Sequence, residues 1–174
     1  MARTVTLVNT AGQKIGIADI LDAHTGEGKL HKAFSVFIFR TSDGKLLLQQ
    51  RSREKMLFAG IWANSCCSHP FEEETPAQAG ERRLQEELGF TTPLHAAGDF
   101  VYRAPDPNGK GIEHEHDTIL IGTIDDTVII RPNPAEVAEY KWVDPMELTE
   151  EMNQHPDVYA PWLKIGLAQI LAAQ

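Results

Sequence analysis

Apolar residues in the first third of the chain predict two β-hairpins. Residues 4–19 contain two short β-rich runs on either side of a turn at residues 9–12, which predicts an N-terminal hairpin. Residues 33–40 and 45–51 flank the turn sequence TSDG, and their apolar character predicts a second hairpin that enters the core. Between the two hairpins lies a polar segment with glycines, for which we expect a loop.

The clearest helix signal begins at Thr75. This residue is a favoured N-cap, and Gln78 lies three residues later, as in a capping box. Pro76 suits the first helical position, apolar residues then recur at helical spacing, and Gly89 can adopt the left-handed conformation that often ends a helix. We therefore expect Glu87 to be presented from a fixed scaffold.

The second half of the chain predicts further strands and a last helix. Residues 98–104 and 112–122 are predicted strands on either side of the turn-rich sequence PDPNGKG. Shorter strand candidates lie at residues 128–130 and 140–143, and the DPMEL sequence after them starts a turn or helix. Apolar residues at helical spacing predict a C-terminal helix over residues 160–172.

Acidic and histidine side chains alternate in the strand predicted at residues 112–122. A period of two places Glu113, Glu115 and Asp117 on one face and His114 and His116 on the other. Two carboxylates can therefore converge on one metal ion. The alternative is a polar edge strand with solvated charges, which the apolar TILI sequence that follows disfavours.

Histidines and basic residues outside that strand provide candidate partners. A loop histidine is most often solvated, but His24, His31 and His69 together with two carboxylates would suit a divalent transition metal. Arg51 and Lys55 belong to a basic cluster in an otherwise acidic chain. This cluster is either a solvated surface group or a local binding site for an anion.

Composition narrows the class of protein. With 174 residues and 42% hydrophobic content, the chain is long enough for one domain with a sizeable core. The net charge of -9 argues against general binding to nucleic acid or acidic membranes. We find no run as long as the roughly 18 apolar residues of a membrane span and no signal-peptide core, so we expect a cytoplasmic enzyme.

The two cysteines do not form a framework. Cys66 and Cys67 are adjacent, which suits neither a disulfide that staples the fold nor the paired spacing of zinc fingers. We expect both to be thiols. For Cys66 we favour the role of a small buried residue.

Residues 68–90 resemble the Nudix box, a phosphate-handling motif that reads G, five residues, E, seven residues, then REUxEExGU with U apolar. The matching positions are Glu74, Arg82, Leu84, Glu86, Glu87, Gly89 and Phe90. Ser68 stands in place of the first glycine, and Arg83 stands in place of a glutamate of the metal-binding face. The charge reversal at Arg83 argues against an ordinary Nudix hydrolase.

With NSCCSHP upstream of the box helix and YRAPDPNGKGIEHEHD downstream, the chain resembles type I isopentenyl-diphosphate isomerase over about residues 3–165. The resemblance implies an α+β fold, a Nudix-like three-layer α/β/α sandwich with a mixed β-sheet, in a single domain spanning residues 1–174. It implies isomerisation of isopentenyl diphosphate to dimethylallyl diphosphate through a tertiary carbocation, in isoprenoid biosynthesis. The expected partner is a small-molecule isoprenoid diphosphate, and the protein is expected to be a monomer or homodimer.

The resemblance also implies roles for residues near the reacting carbons. Cys67 and Glu115 match the acid/base pair, and Tyr102 assists Glu115. Trp162 is most often a packing residue at such a position, but the matching tryptophan of the family faces the reacting carbons. A desolvated π face can stabilise a cation by about 2 kcal/mol or more.

The diphosphate contacts implied by the resemblance are Arg51, Lys55 and Arg83. Charge-assisted contacts from such cations to phosphate oxygens are strong and directional. The family usually has another lysine four residues before the first metal histidine, where this chain has Ile20. Lys29 is a possible substitute.

Two metal ions are implied. One Mn²⁺, or Mg²⁺ or Zn²⁺, would be bound octahedrally by a set of three imidazoles and two carboxylates: His24, His31, His69, Glu113 and Glu115. A second ion, Mg²⁺, would bridge the substrate diphosphate, Glu87 and the backbone carbonyl of Cys67; hard oxygen ligands favour this ion.

Two other functions stay open at this point. A Nudix hydrolase acting on a nucleoside-diphosphate derivative would share the helix and Mg²⁺ but would need a metal-activated water. A non-catalytic metal- or phosphate-binding module would use the same ligands without needing Cys67, Tyr102 or Trp162.

Overall fold

The computed structural model describes residues 3–173. Within that range nine strands form one mixed sheet, and helices flank it. The strands are β1 (Thr4–Val8), β2 (Lys14–Asp19), β3 (His31–Arg40), β4 (Leu46–Arg51), β5 (Trp62–Ala63), β6 (Cys66–Ser68), β7 (His95–Pro105), β8 (Ile112–Ile124) and β9 (Val137–Val143). The helices are α1 (Ile20–Ala23), α2 (Pro76–Leu88), α3 (Pro145–Gln154) and α4 (Pro161–Ala172), with a 3-10 turn at Pro156–Val158.

Strand β3 is the hub of the sheet. It pairs antiparallel with β1, β4 and β6, and parallel with β8 over its whole length. Strand β8 continues the sheet to β7, while β4 continues it to β5 and β9. The predicted site residues His31, Arg51, Cys67 and Glu115 therefore lie in β3 or in a strand that pairs with it.

Helices cover both faces of the sheet. Val36 and Ile38 of β3 share a buried apolar cluster with Leu84 of α2. Phe37 points to the other face, where it shares a cluster with residues of α3 and α4. A methyl group added at Gly166 of α4 would lie 2.6 Å from the Phe37 ring, so α4 packs closely on β3. The predicted three-layer α/β/α sandwich with a mixed sheet is confirmed.

Helix α2 has the predicted boundaries. The Thr75 side chain accepts a hydrogen bond from the Gln78 amide in a complete capping box, and Gly89 ends the helix with a φ of 75°. Glu87 lies on the buried face and is only 1% exposed. The scaffold predicted for this carboxylate is therefore present.

The N-terminal hairpin and the alternation in β8 are confirmed, but the second hairpin differs from the prediction. Strands β3 and β4 pair only beside their turn, at Phe39 and Leu46. Beyond that point β3 pairs with β8, and β4 pairs with β9. A local turn signal identifies the turn but not the partner that each strand finds further along the chain.

The strand predicted at residues 128–130 is absent. Val128 and Ile130 are partly buried against the α2 cluster, as alternation suggests, yet they join no strand. The following backbone instead binds the end of α2, since the amide of Arg131 donates to the Leu88 carbonyl at 2.7 Å. The segment therefore packs on α2 and hydrogen-bonds to its C-terminal end. The strand predicted at residues 140–143 is confirmed within β9.

The polar segment before β3 is not entirely a loop, because it begins with the short helix α1, capped by the Asp19 carboxylate. The C-terminal helix is confirmed as α4, and the DPMEL sequence begins α3. Strands β5 and β6 were not predicted, since two- and three-residue strands carry no usable periodicity. Within residues 3–173 no helix combines the length and apolar character needed to cross a membrane.

Candidate active site

A cavity of about 300 Å³ is lined by residues of β4, β6, β7 and β8 and of helices α2 and α4, together with neighbouring loop residues. Residues from nine parts of the chain line it, and they include most of the predicted site residues. Those residues are His24, Arg51, Lys55, Cys67, His69, Arg83, Tyr102, Glu113, Glu115 and Trp162. The structure therefore brings these predicted residues together, with His31 directly behind them.

Strand register places the central carboxylate. In the parallel pair of β3 and β8, His31 lies opposite Glu115. In the antiparallel pair of β7 and β8, Tyr102 lies opposite the same Glu115. The Tyr102 hydroxyl donates to Glu115 Oε2 at 2.5 Å, so one carboxylate is contacted from both neighbouring strands. Tyr102 is buried, and burial together with the charge of Glu115 raises its pKa well above the usual value.

The three histidines and two glutamates form one compact cluster. One ligand atom from each lies within 4.8 Å of all the others. His69 Nε2 is 3.1 Å from His31 Nε2 and 2.9 Å from Glu115 Oε1. His24 Nε2 lies 2.9 Å from Glu113 Oε2.

The orientation of the rings fits a metal ion. Nδ1 of His24 donates to the Ile20 carbonyl at 2.6 Å, and Nδ1 of His31 donates to the Lys29 carbonyl at 2.7 Å. These bonds fix the tautomer and direct the Nε2 lone pairs into the cluster. The buried Nδ1 of His69 has no hydrogen-bond partner among residues 3–173. With its proton on Nδ1, the Nε2 lone pair of His69 faces that of His31 beside a carboxylate, and a cation among these donors would relieve the repulsion.

The electrostatics of the cluster favour the same conclusion. Burial, then the neighbouring charge of Glu115, raises the pKa of Glu113. Burial lowers the pKa of His69 to about 4, so this imidazole is neutral at pH 7 and can act as a ligand. Two crowded carboxylates and three imidazoles in a buried site are the donors that a divalent cation would stabilise.

Cys67 faces the cavity from β6, whereas Cys66 is fully buried under α2. The expectation of two free thiols is met, and the one for a buried Cys66 is confirmed. Arg51 Nη1 lies 3.4 Å from Cys67 Sγ. Burial nevertheless raises the pKa of Cys67 to about 12, against the opposing charge of Arg51. In the free site the thiol therefore keeps its proton at neutral pH.

Trp162 is held in place by contacts that the sequence did not suggest. Its indole N–H donates to Asn64 Oδ1 at 3.0 Å, and the Asn64 amide donates to the carbonyls of Val36 and Cys66. The Phe58 ring packs edge-on against Trp162 at 5.0 Å between centroids. The tryptophan is thus both a packing residue and part of the cavity wall.

Phe58 adopts an uncommon backbone conformation, with a φ of 52°. Two hydrogen bonds hold it there: its amide donates to Asp106 Oδ1 at 2.6 Å, and its carbonyl accepts from Arg51 Nε at 3.1 Å. Strained residues of this kind often occur at functional sites. Sequence alone assigned no role to Phe58, or to Asn64 at the start of NSCCSHP, because both act through contacts with distant residues.

Lys55 and Arg83 form an ion network at the other end of the cavity. Arg83 Nη2 lies 2.5 Å from Glu87 Oε1 and 3.2 Å from Glu136. Lys55 forms an ion pair with Glu136 and lies 3.6 Å from Glu87. Glu87 itself is buried beneath these two cations and does not line the cavity. Lys29, the possible substitute at the diphosphate, instead pairs with Asp22 on the surface at 2.5 Å.

Comparisons with known proteins identify the family. The family model of the NUDIX domain matches residues 29–163. An isopentenyl-diphosphate Delta-isomerase from Nocardia farcinica is 46% identical over 159 residues, which cover 91% of this chain and 89% of that protein. The chain belongs to the isopentenyl-diphosphate Delta-isomerase family. The isopentenyl-diphosphate Delta-isomerase 2 of Photorhabdus laumondii is also similar to this chain. The two are 44% identical over a match that covers 94% of this chain and 90% of that protein.

Solved structures resemble this isopentenyl-diphosphate Delta-isomerase family member in fold. A crystal structure from Deinococcus radiodurans has a TM-score of 0.75 at 18% identity and covers 96% of this chain and 98% of that one. A MutT protein from Methanosarcina mazei has a TM-score of 0.66, also at 18% identity, over 83% of this chain and 94% of that one. At such identities the likeness concerns the fold alone. It agrees with the match of the NUDIX domain model. Divalent-metal binding is indicated separately, by the Nudix domain together with the cluster of histidines and glutamates.

We predict that His69→Ala abolishes binding of the divalent ion at the cluster, because His69 Nε2 lies between His31 and Glu115. The matched control is His116→Ala, on the opposite face of β8 beside Asp99, which should retain the ion. Elemental analysis after manganese loading and desalting measures both, with circular dichroism to verify folding. Equal metal stoichiometry in the two variants would remove His69 from the site.

Proposed function

We propose that the protein isomerises isopentenyl diphosphate to dimethylallyl diphosphate. One observation carries the proposal: a buried carboxylate, Glu115, shares a cavity with the Cys67 thiol and the Trp162 ring. Related proteins at 39% to 46% identity bear the name of this activity. A non-catalytic binding module would not need a thiol, a carboxylate and an aromatic wall in the same cavity.

Isomerisation needs one proton added to the alkene and another removed from the carbon on the other side of the cation. Cys67 and Glu115 are the two groups that we assign to these steps. Whichever gives its proton to the alkene, the other accepts the proton that leaves. The pair therefore begins and ends the reaction with one proton, and the diphosphate stays attached throughout.

The walls of the cavity suit a carbocation. Trp162 and Tyr102 lie with ring centroids 5.7 Å apart, and Leu57 adds apolar surface. Aromatic faces stabilise positive charge, and apolar walls keep water from capturing the cation. Tyr102 also orients Glu115 through its hydroxyl.

We assign His24, His31, His69, Glu113 and Glu115 as ligands of one Mn²⁺, with Mg²⁺ or Zn²⁺ as the other candidates. When bound, such an ion supplies positive charge that acidifies the Glu115 carboxyl group. We assign Glu87 and the backbone carbonyl of Cys67 as the groups that would hold a second ion, Mg²⁺, which would supply positive charge to the substrate diphosphate. Hydrogen bonding of Gln49 Nε2 to Glu87 Oε2 at 2.9 Å would orient this carboxylate.

We assign Arg51, Lys55 and Arg83 to the diphosphate. All three line the cavity, and two of them form the ion network described above. A diphosphate would replace part of the carboxylate contacts of that network with phosphate oxygens. The single-domain organisation, the cytoplasmic location and the choice between monomer and homodimer stay predictions.

The reaction can be observed in deuterated water. We predict that the purified protein, given isopentenyl diphosphate with Mn²⁺ and Mg²⁺, forms dimethylallyl diphosphate that carries deuterium, because the incoming proton comes from a group that exchanges with solvent. Proton and phosphorus NMR follow the product and the intact diphosphate in one tube. A Nudix hydrolase would instead release phosphate or a monophosphate from a nucleotide substrate. Absence of the dimethylallyl signal in metal-replete protein would contradict the proposal.

We predict that Cys67→Ser lowers turnover at least ~100-fold, since losing an acid/base group typically costs this much or more. Cys66→Ala is the matched control, because the Cys66 thiol is fully buried and does not line the cavity. Initial rates are compared at equal metal content, which separates an enzyme from a binding module. Similar rates for Cys67→Ser and the wild type would remove Cys67 from the mechanism.

A further inference from the structure

One cation in the cavity has no role so far. Arg3 directly precedes β1 and lines the cavity together with Ile20. The two residues are neighbours, since the Ile20 amide donates to the Arg3 carbonyl at 2.9 Å. Arg3 Nη2 donates to Ser68 Oγ at 3.0 Å, which places the guanidinium beside the end of β6. The Arg3 guanidinium therefore reaches the active site.

The other cavity cations are already engaged. Lys55 and Arg83 have carboxylate partners in Glu87 and Glu136. The Arg51 side chain donates to the Phe58 and Leu57 carbonyls and contacts the Cys67 thiol, so every one of its three nitrogens has a protein partner. The charges of Lys55 and Arg83 are therefore partly compensated, and the donors of Arg51 are occupied, before any ligand arrives.

In the part of the chain that the structure describes, Arg3 differs from Lys55 and Arg83 in lacking a carboxylate partner, and from Arg51 in having most of its N–H donors free of protein partners. Within residues 3–173 its side chain makes one hydrogen bond, to the uncharged Ser68 hydroxyl, and no carboxylate lies within ion-pair distance. Arg3 as a whole residue is exposed, but partial burial of its guanidinium and the nearby charge of Arg83 lower its pKa, against the opposing effect of Glu136. A guanidinium stays protonated in proteins, so crowding with Arg83 creates a positive potential that an anion would relieve.

We propose that Arg3 is a diphosphate-binding residue of this active site, extending the cation set from β4 and α2 to the start of β1. The proposal rests on the function proposed above. A guanidinium has five N–H donors in a planar fork that matches two phosphate oxygens. Arg3 has most of these donors available, whereas those of Arg51 are directed at protein atoms. Binding the anion at Arg3 fixes one end of the substrate while the alkene end lies at Cys67 and Trp162.

Because Arg3 binds the diphosphate end of the substrate, its loss should weaken substrate binding more than turnover. Arg3→Ala should raise KM for isopentenyl diphosphate about 10- to 100-fold, the range for loss of charge-assisted hydrogen bonds. The value of kcat should change by less than about 3-fold, because Arg3 contacts the diphosphate and not the reacting carbons. Arg3→Lys should show a smaller rise in KM. Lys14→Ala is the matched control, since that lysine pairs with Glu72 on the surface and should leave KM unchanged.

A rescue variant makes the test specific for charge in this part of the cavity. Ile20→Lys places a cation beside the position that Arg3 vacates. Adding it to Arg3→Ala should therefore reverse most of the rise in KM. A purely structural role of Arg3 would not be rescued in this way. Circular dichroism and metal content verify that each variant folds and retains its cluster.

Titration calorimetry with inorganic diphosphate and Mg²⁺ separates this inference from the proposed function, because it needs no turnover. Weaker binding in Arg3→Ala than in Lys14→Ala, by about 10-fold or more, supports the anion site even if the isomerase test fails. Equal diphosphate affinity and equal KM in the two variants overturn it, even if the protein is an active isomerase.

Discussion

Register between β3 and β8 is the constraint on which the candidate site depends. The parallel pairing puts His31 opposite Glu115, and the antiparallel pairing of β8 with β7 puts Tyr102 opposite the same carboxylate. A slip of one residue would turn Glu115 away and bring His114 or His116 to the inner face. Apolar residues that follow in both strands fill the core under α2 and α4, so hydrophobic burial specifies the register that the chemistry needs.

The cavity has two ends of opposite character. At one end the cluster of imidazoles and carboxylates is suited to a cation, and at the other end arginine and lysine side chains are suited to an anion. Cys67, Tyr102 and Trp162 lie among them. Burying such charges is costly unless they are paired, which explains why Glu87 and Glu136 contact Lys55 and Arg83 in the free protein. The substrate and its ions would complete this pairing.

Sequence predicted those features that local physics determines. The capping box of α2, its terminal glycine and the period of two in β8 each follow from a few neighbouring residues. Features that depend on distant partners were missed or wrong. The strand predicted at residues 128–130 instead belongs to a segment that binds the end of α2, and Asn64 gains its role only through Trp162. Arg3 gave no signal because its importance comes from reaching Ser68, 65 positions along the chain.

The central claim is that strand pairing gathers three imidazoles and two carboxylates around one divalent ion. X-ray absorption of the manganese-loaded protein tests it most directly, because imidazole rings give a multiple-scattering signal that oxygen ligands lack. The account predicts a shell with three imidazoles and carboxylate oxygens, in a protein with one ion at this site. A shell of oxygen ligands alone, in folded and manganese-loaded protein, would contradict the account.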